Sequence, residues 1–287
     1  MNNQPSFKFP SKTMLQEIIE RALQEDIGQG DVTTDSIVPQ GINLKGKFIV
    51  KAEGILAGLE VVRLCFQQLD SQITFDSVVD DGSRVLPGEI FATIRGPGRG
   101  ILSGERVALN FLQRMSGIAT LTHRFVQAVA GTGAIILDTR KTAPGLRALD
   151  KWAVVLGGGQ NHRFGLDDMV LIKENHIAAA GSMTAAVEKI RNNLQKNLFI
   201  EVEVKNIGEL KEALPLKVDR ILLDNMSPNE MRKAVKITNR QIPLEASGNV
   251  GLDNIAAIAE TGVQFISVGE LTHTVKALDI SLLLSRT

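Results

Sequence analysis

The spacing of hydrophobic positions changes along the chain. In residues 12–25, Met14, Leu15, Ile18, Ile19, Ala22 and Leu23 recur at helical spacing, with Glu17, Glu20 and Arg21 on the opposite face. A loop rich in turn formers follows, Gly28-Gln-Gly30-Asp31-Val-Thr33-Thr34. Short β-type segments come next at 44–51, 72–79 and 89–95, with a helix predicted over 56–69. Asp80-Asp81-Gly82, Pro87-Gly88 and Gly96-Pro-Gly98 punctuate them as turns. A long helix is predicted over 103–121. From about residue 134, apolar runs at 134–138, 169–173, 198–204, 220–224, 243–247 and 265–269 alternate with helical patterns at 183–194, 207–214, 228–238 and 252–260. Repeated βα units imply a parallel sheet, open or closed into a barrel. An open sheet would normally carry a Gly-rich nucleotide loop after its first strand. Asp138-Thr-Arg-Lys-Thr142 stands there instead, which favours the barrel.

Composition narrows the function classes. The 287 residues suffice for one large or two modest domains and for a core that needs no disulfide or metal. Lys+Arg and Asp+Glu are both 32, so the net charge is zero, which argues against a dedicated nucleic-acid or anionic-membrane binder. The single cysteine, Cys65, excludes an intramolecular disulfide and a Cys-cluster zinc site. No apolar run approaches the ~18 residues of a membrane helix. Met1 to Pro10 is polar and does not read as a signal peptide, so a cytoplasmic protein is expected.

In a barrel, chemistry sits at the carboxyl ends of the strands. Those ends read Asp138-Thr139-Arg140-Lys141, Lys173-Glu174-Asn175-His176, Glu201-Val-Glu203, Asp224-Asn225, Glu245-Ala-Ser247-Gly248-Asn249 and Ser267-Val-Gly269-Glu270. One polar strand end is uninformative; six converging ends point to a site. Arg140, Lys141, Arg163 and Lys173 suit a polyanion, because a guanidinium grips carboxylate or phosphate with two bonds. Glu203 and Asp224 would repel that anion unless a divalent cation such as Mg²⁺ lay between. Glu201 and Glu203 share one side of a strand. That side is either the barrel interior, where an unpaired carboxylate is unfavourable, or the helix layer, or a place where each pairs locally. Ser247, Gly248 and Gly269 follow the late strands, where barrels often bind phosphate.

Several look-alikes carry less. Val78-Val79-Asp80-Asp81-Gly82 reads as a hairpin turn, and Gly157-Gly158-Gly159 lacks dinucleotide-loop spacing and a preceding strand. His123, His162, His176 and His273 show no metal-ligand spacing. Lys173 at a strand end also leaves a Schiff-base lyase or aldolase open.

At these residues the chain resembles the quinolinate phosphoribosyltransferase family. The resemblance covers nearly the whole chain. Its motifs are Glu25-Asp-Ile-Gly-Gln-Gly-Asp-Val-Thr-Thr34, Glu105-Arg-Val-Ala-Leu-Asn110 with Ser116-Gly-Ile-Ala-Thr120, and Asp138-Thr-Arg-Lys-Thr-Ala-Pro-Gly145. They continue as Gly157-Gly-Gly-Gln-Asn-His-Arg163, Leu171-Ile-Lys-Glu-Asn-His176, Glu201-Val-Glu-Val204, Leu223-Asp-Asn225 and Glu245-Ala-Ser-Gly248.

The resemblance implies an α+β N-terminal domain over 1–115 and a seven-stranded α/β barrel over 116–274. The segment of about 275–287 is left to pack with the first domain. A seventh strand is then expected between 145 and 168. It implies phosphoribosyl transfer from phosphoribosyl pyrophosphate to quinolinate with decarboxylation, aided by Mg²⁺. It also implies a homodimer with shared active sites, assembled in some members into hexamers. Carried over by motif, Arg106 would reach quinolinate from the partner. Thr139, Arg140, His162 and Arg163 would hold substrate. Lys141 and Lys173 would lie between quinolinate and the donor. Glu203 and Asp224 would face the ribose and Mg²⁺, directly or indirectly, and Ser247, Gly248, Gly269 and His273 the phosphate end. A non-catalytic binder or a molybdenum-associated relative of similar fold stays open as an alternative.

Overall fold

The first amphipathic stripe folds as α1 (Lys12–Ile27) and buries Leu15, Ile19 and Leu23. Ser11 caps it, its hydroxyl oxygen accepting from the Met14 N–H at 3.2 Å. The Gly28–Thr34 stretch is not all loop, because Asp31 opens α2 (Val32–Ile37) by accepting from the Thr34 N–H at 2.9 Å. Periodicity could not show this helix, since Val32 and Ile37 are exposed and it has no apolar stripe. There follow β1 (Asn43–Val50), β2 (Gly54–Ile55), α3 (Leu59–Leu69), β3 (Thr74–Ser77), β4 (Arg84–Val85), β5 (Ile90–Pro97) and α4 (Gly98–Ala128). The last is longer at both ends than the sequence pattern suggested. The remainder runs β6 (Ile135–Leu137), α5 (Arg147–Leu156), β7 (Val170–Ile172), α6 (Glu174–Ala180), α7 (Met183–Asn193), β8 (Ile200–Val204), α8 (Ile207–Ala213), β9 (Arg220–Asp224), α9 (Pro228–Thr238), β10 (Leu244–Ser247), α10 (Ile255–Ala259), β11 (Phe265–Ser267), α11 (Glu270–His273) and β12 (Ile280–Arg286). This computed structural model describes residues 9–193 and 198–286; the readings of residues 1–8, of Leu194 and of Thr287 lie outside the described residues.

The chain divides into two compact units. The first holds residues 9–123, 143–158 and 274–286. Its sheet has the order β12-β1-β5-β3, with β12 antiparallel along β1 from Leu44↔Arg286 to Val50↔Ile280. Phe48 anchors the core against the rings of Phe75, at 5.3 Å, and Phe91, at 5.9 Å. Asp81, in the turn after β3, accepts from the N–H groups of Gly58 and Leu59 and so caps α3. Cys65 on α3 is buried, and desolvation pushes its thiol up to about 12, so it is an inert core residue. Helix α5 was not read from the sequence although its apolar residues have a helical period; its charged Asp150 and Lys151 are buried with the rest of Ala148–Val154, Asp150 paired with Arg114.

The second unit holds Arg124–Thr142 and, within its described residues, Gly159–His273. Its sheet is parallel throughout, in the order β6-β11-β10-β9-β8-β7. These are the six apolar runs of the sequence. The expected seventh strand shrinks to one residue. Gln160 forms a parallel bridge to Leu137 on the other edge of β6, through Gln160 N to Ile136 O at 2.8 Å and Asp138 N to Gln160 O at 3.1 Å. The next residues turn to a side chain instead. The Asp138 carboxylate accepts from the Asn161 amide at 2.5 Å and the His162 N–H at 2.9 Å. Among the described residues no ladder joins Gln160 to β7, so the hydrogen-bonded ring stays open at that seam.

Candidate functional site

Strand register sorts the inward-facing residues into layers. Glu201 lies beside Arg220, and Glu245 beside both Leu222 and Phe265. Side chains alternate along a strand, so 169, 171, 199, 201, 220, 222, 245, 265 and 267 share the inner face. Met169, Leu171, Phe199 and Leu222 form one buried apolar cluster there.

A polar network crosses this interior. The Arg220 guanidinium carbon sits 5.1 Å from the Phe199 ring centroid and 4.7 Å from that of Phe265. Arg220 Nε lies 3.1 Å from Glu201 Oε1, and Nη1 lies 2.9 Å from Glu245 Oε2. The angles at these atoms fall outside hydrogen-bond geometry, so the contacts are chiefly Coulombic. Ser267 Oγ donates to Glu245 Oε1. Burial raises the Glu201 pKa against the pull of Arg220. Burial, then the charge of Glu201, pushes Glu245 up to about 7. Glu201 thus lies on the interior and is paired there, which answers for it the question that its spacing with Glu203 left open.

His162 joins this network at 2.9 Å, Nε2 to Glu201 Oε2. Its Nδ1 accepts the Arg163 N–H at 2.8 Å, so Nδ1 is unprotonated and the proton sits on Nε2. The sequence showed no metal-ligand spacing, yet the fold brings ligand atoms of His162, Glu201 and Glu245 within 4.8 Å of one another. A metal does not fit this cluster, because the Arg220 guanidinium already supplies its positive charge.

Two residues further along each strand the chemistry changes. Thr139, Lys173, Glu203, Asp224, Ser247 and Gly269 occupy the next inward positions after Leu137, Leu171, Glu201, Leu222, Glu245 and Ser267. Lys173 Nζ pairs with Glu203 Oε2 at 3.0 Å. Lys173 stands at the N-cap of α6, and its N–H donates to His176 Nδ1 at 3.0 Å. Its amine is exposed and ion-paired rather than desolvated, which weighs against an imine-forming lysine. Lys205, after β8, bonds Glu174 and feels the charges of Asp224 and Glu203.

Lys141 is held by its backbone. Its N–H donates to Thr139 Oγ1 at 3.1 Å, and its carbonyl accepts from Thr272 Oγ1 at 2.8 Å. Thr139 therefore does a local job in the turn. A Cβ at Gly269 would stand 3.1 Å from the His273 ring and 3.2 Å from Lys141 Cδ, which places these three together. Arg163 is buried, its Nη1 donating to Met169 O at 3.3 Å. Desolvation, then the neighbouring charge of Arg140, lowers its pKa. Two adjacent guanidiniums make a receptor for an anion.

Gly248 has φ +95°, and a Cβ there would collide with the Asn225 side-chain amide. The backbone angle strains any other residue, and the amide would have to shift to make room. Gly248→Ala is expected to lower unfolding stability by about 1–3 kcal/mol in a denaturant titration. A change below about 0.5 kcal/mol would mean the 247–249 turn re-forms without strain.

Thirteen residues were singled out from the sequence. Twelve lie in this second unit. Arg106 does not: it is exposed on α4 among the residues of the first unit. His162 is in the unit, but its two ring nitrogens face protein partners. Sequence reasoning missed Arg220, at the start of β9 rather than its end. The available signal was its inward parity with Asp224.

Comparison with known proteins agrees with the layout. Residues 31–116 match the family described as Quinolinate phosphoribosyl transferase, N-terminal domain, and residues 118–283 its C-terminal domain. A probable nicotinate-nucleotide pyrophosphorylase [carboxylating] of Synechocystis is 43% identical over 290 residues, covering 99% of this chain and 97% of that one. The mitochondrial quinolinate phosphoribosyltransferase [decarboxylating] 2b of Nicotiana tabacum is 44% identical, covering 93% of this chain and 81% of its own. The solved nicotinate-nucleotide pyrophosphorylase of Francisella tularensis superposes with a TM-score of 0.94 at 39% identity, over 98% of this chain and 100% of that one.

Proposed function

The chain belongs to the quinolinate phosphoribosyltransferase family, and from that premise we propose that it transfers a phosphoribosyl group from phosphoribosyl pyrophosphate to quinolinate. Decarboxylation follows, giving nicotinate mononucleotide, pyrophosphate and CO₂ on the route to NAD. The protein is thus a glycosyltransferase of the pentosyl class. The observation that carries the reading is the set of charges after the parallel strands: Arg163 beside Arg140, Lys141 against Gly269, and Lys173 ion-paired with Glu203 at the end of the strand next to the one that ends in Asp224.

Quinolinate carries two carboxylates, and the donor a phosphate and a pyrophosphate. Arg140 and Arg163 suit the carboxylates. The turn at Ser247-Gly248 and the Gly269–His273 corner suit the phosphate, where glycine lets backbone N–H groups approach. The pyridine nitrogen attacks the anomeric carbon as its bond to the pyrophosphate oxygen breaks, through an oxocarbenium-like state. Glu203 and Asp224 stabilise the positive charge on the ribose. Lys141 and Lys173 stabilise the charge that builds on the departing pyrophosphate. The alkylated ring is then an electron sink. The C–C bond to the adjacent carboxylate breaks, CO₂ leaves, and the ring carbon that keeps the electron pair takes a proton.

Glu203 and Asp224 fit Mg²⁺: they are oxygen donors at the ends of adjacent strands, and Lys205 feels the charge of both. Bound there with the donor, Mg²⁺ would neutralise pyrophosphate charge. The family resemblance also supports a homodimer in which Arg106 of the partner subunit completes each quinolinate site, with hexamers a further assembly. Among the described residues no helix is long and apolar enough to cross a membrane. The single, buried cysteine needs no oxidising compartment, which supports a cytoplasmic location.

The test is incubation with quinolinate, phosphoribosyl pyrophosphate and Mg²⁺, each omitted in turn, with nicotinate mononucleotide and CO₂ quantified. Equimolar products are expected, and none without Mg²⁺. Donor binding with no product from quinolinate would instead favour the binder or the molybdenum-associated relative.

A further inference from the structure

The segment that carries Arg163 is anchored mainly by side chains. Gln160 makes a one-residue bridge to β6, and among the described residues no ladder reaches β7 on the other side. The Asp138 carboxylate accepts from the His162 N–H, and that of Asp168 from the N–H groups of Phe164 and Gly165. Arg163 must be held closely to grip a planar dicarboxylate. We propose that the buried Glu201–Arg220–Glu245 network is a strut that fixes the His162 tautomer and through it the place of Arg163, which makes Glu201 a positioning residue for quinolinate. This rests on the reading that Arg163 binds quinolinate.

The path is continuous. Ser267 on β11 bonds Glu245 on β10, and Glu245 pairs with Arg220 on β9. Arg220 pairs with Glu201 on β8, and Glu201 accepts from His162 Nε2 at 2.9 Å. His162 Nδ1 in turn accepts the Arg163 N–H at 2.8 Å. From β8 to His162 the path passes inside the strand β7 and spans the seam where the backbone ladder is missing. Side chains thus close on the inside what the sheet leaves open.

The two hydrogen bonds of the imidazole depend on each other. With Glu201 accepting at Nε2, the ring proton is held there and Nδ1 keeps its lone pair for Arg163. Without that acceptor the Nδ1–H form becomes accessible, and two N–H groups would then face each other at Arg163. The Phe199 and Phe265 rings both lie within cation–π distance of the Arg220 guanidinium and help to hold the centre of the strut in place.

The experiment is steady-state kinetics of Glu201→Ala and Glu201→Gln, paired with ¹⁵N spectra of the histidine ring nitrogens in the wild-type protein. Glu201→Ala should raise KM for quinolinate at least about tenfold, the worth of one charge-assisted hydrogen bond, and leave KM for the donor within about twofold. Glu201→Gln keeps an acceptor oxygen for Nε2–H and should return the quinolinate KM to within about threefold of wild type. The spectra, assigned by loss of signal in His162→Asn, should show His162 neutral with its proton on Nε2. An unchanged quinolinate KM in Glu201→Ala, or an equal rise for both substrates, would overturn the proposal. So would an Nδ1–H or doubly protonated ring, a result that needs no folded variant at Glu201. Wild-type protein inactive on quinolinate would defeat the functional reading, while the spectra would still decide whether the strut exists.

Discussion

Lys173→Ala is expected to lower turnover at least about a hundredfold, the scale of a lost electrostatic stabiliser. The ammonium stands 3.0 Å from Glu203 Oε2 at the end of β7, with its backbone tied to His176. On the proposed reading it holds two charges in order: the Glu203 carboxylate, which would face the ribose, and the pyrophosphate that would leave. Removing it also leaves Glu203 facing an anionic donor without compensation. Lys141→Ala should fall by a similar factor, because Thr139 and Thr272 clamp its backbone beside Gly269 and His273. Arginine should rescue neither fully, since a planar guanidinium cannot replace a compact point charge. The measurement is kcat for nicotinate mononucleotide formation with both substrates saturating. Turnover like wild type in either variant would remove that lysine from the mechanism.

Arg220→Ala is expected to cost about 3–5 kcal/mol of stability near neutral pH, because it leaves two buried carboxylates without their counter-ion. The loss should depend on pH, and the sign follows from Glu245. Its folded pKa, about 7, lies above the ordinary 4.5. A raised carboxyl pKa means the folded state holds a proton that the unfolded state has released between those values. Its stabilising contribution is complete below about 4.5 and is lost as pH rises through about 7. Without Arg220 both glutamates shift further in the same direction. The variant should therefore sit closest to wild type near pH 5 and furthest from it near pH 8. Urea titrations across that range test this. A gap that widens toward acid would mean that Glu201 and Glu245 are not the groups Arg220 serves.

Much of the parallel-sheet unit was legible because its strands are short apolar runs separated by amphipathic helices. The six runs correspond to β6 to β11, and α9 matches residue for residue, since Ser227, Pro228 and Glu230 spell out its start. The weak points share one cause: the residue that stabilises the element is not its neighbour in sequence. Gln160 is a strand residue only because Leu137 lies beside it. Helix α5 seats its buried Asp150 against Arg114, which lies outside the helix on α4. Strand β12 pairs with β1, more than 200 residues earlier in the chain.

The family, the α/β class and the strand ends that carry charge are legible in the chain itself, as are the candidates Lys141, Lys173, Glu203 and Asp224. Each is written in local order: a motif, a period, or a polar residue closing an apolar run. Only the tertiary structure decided which charges meet. It drew Glu201 and Glu245 onto Arg220, turned His162 toward Glu201 and Arg163 rather than outward, and set Lys173 on Glu203. The reason is physical. A buried charge is tolerable only beside its partner, and in a parallel sheet that partner stands on another strand, at a position that register alone sets.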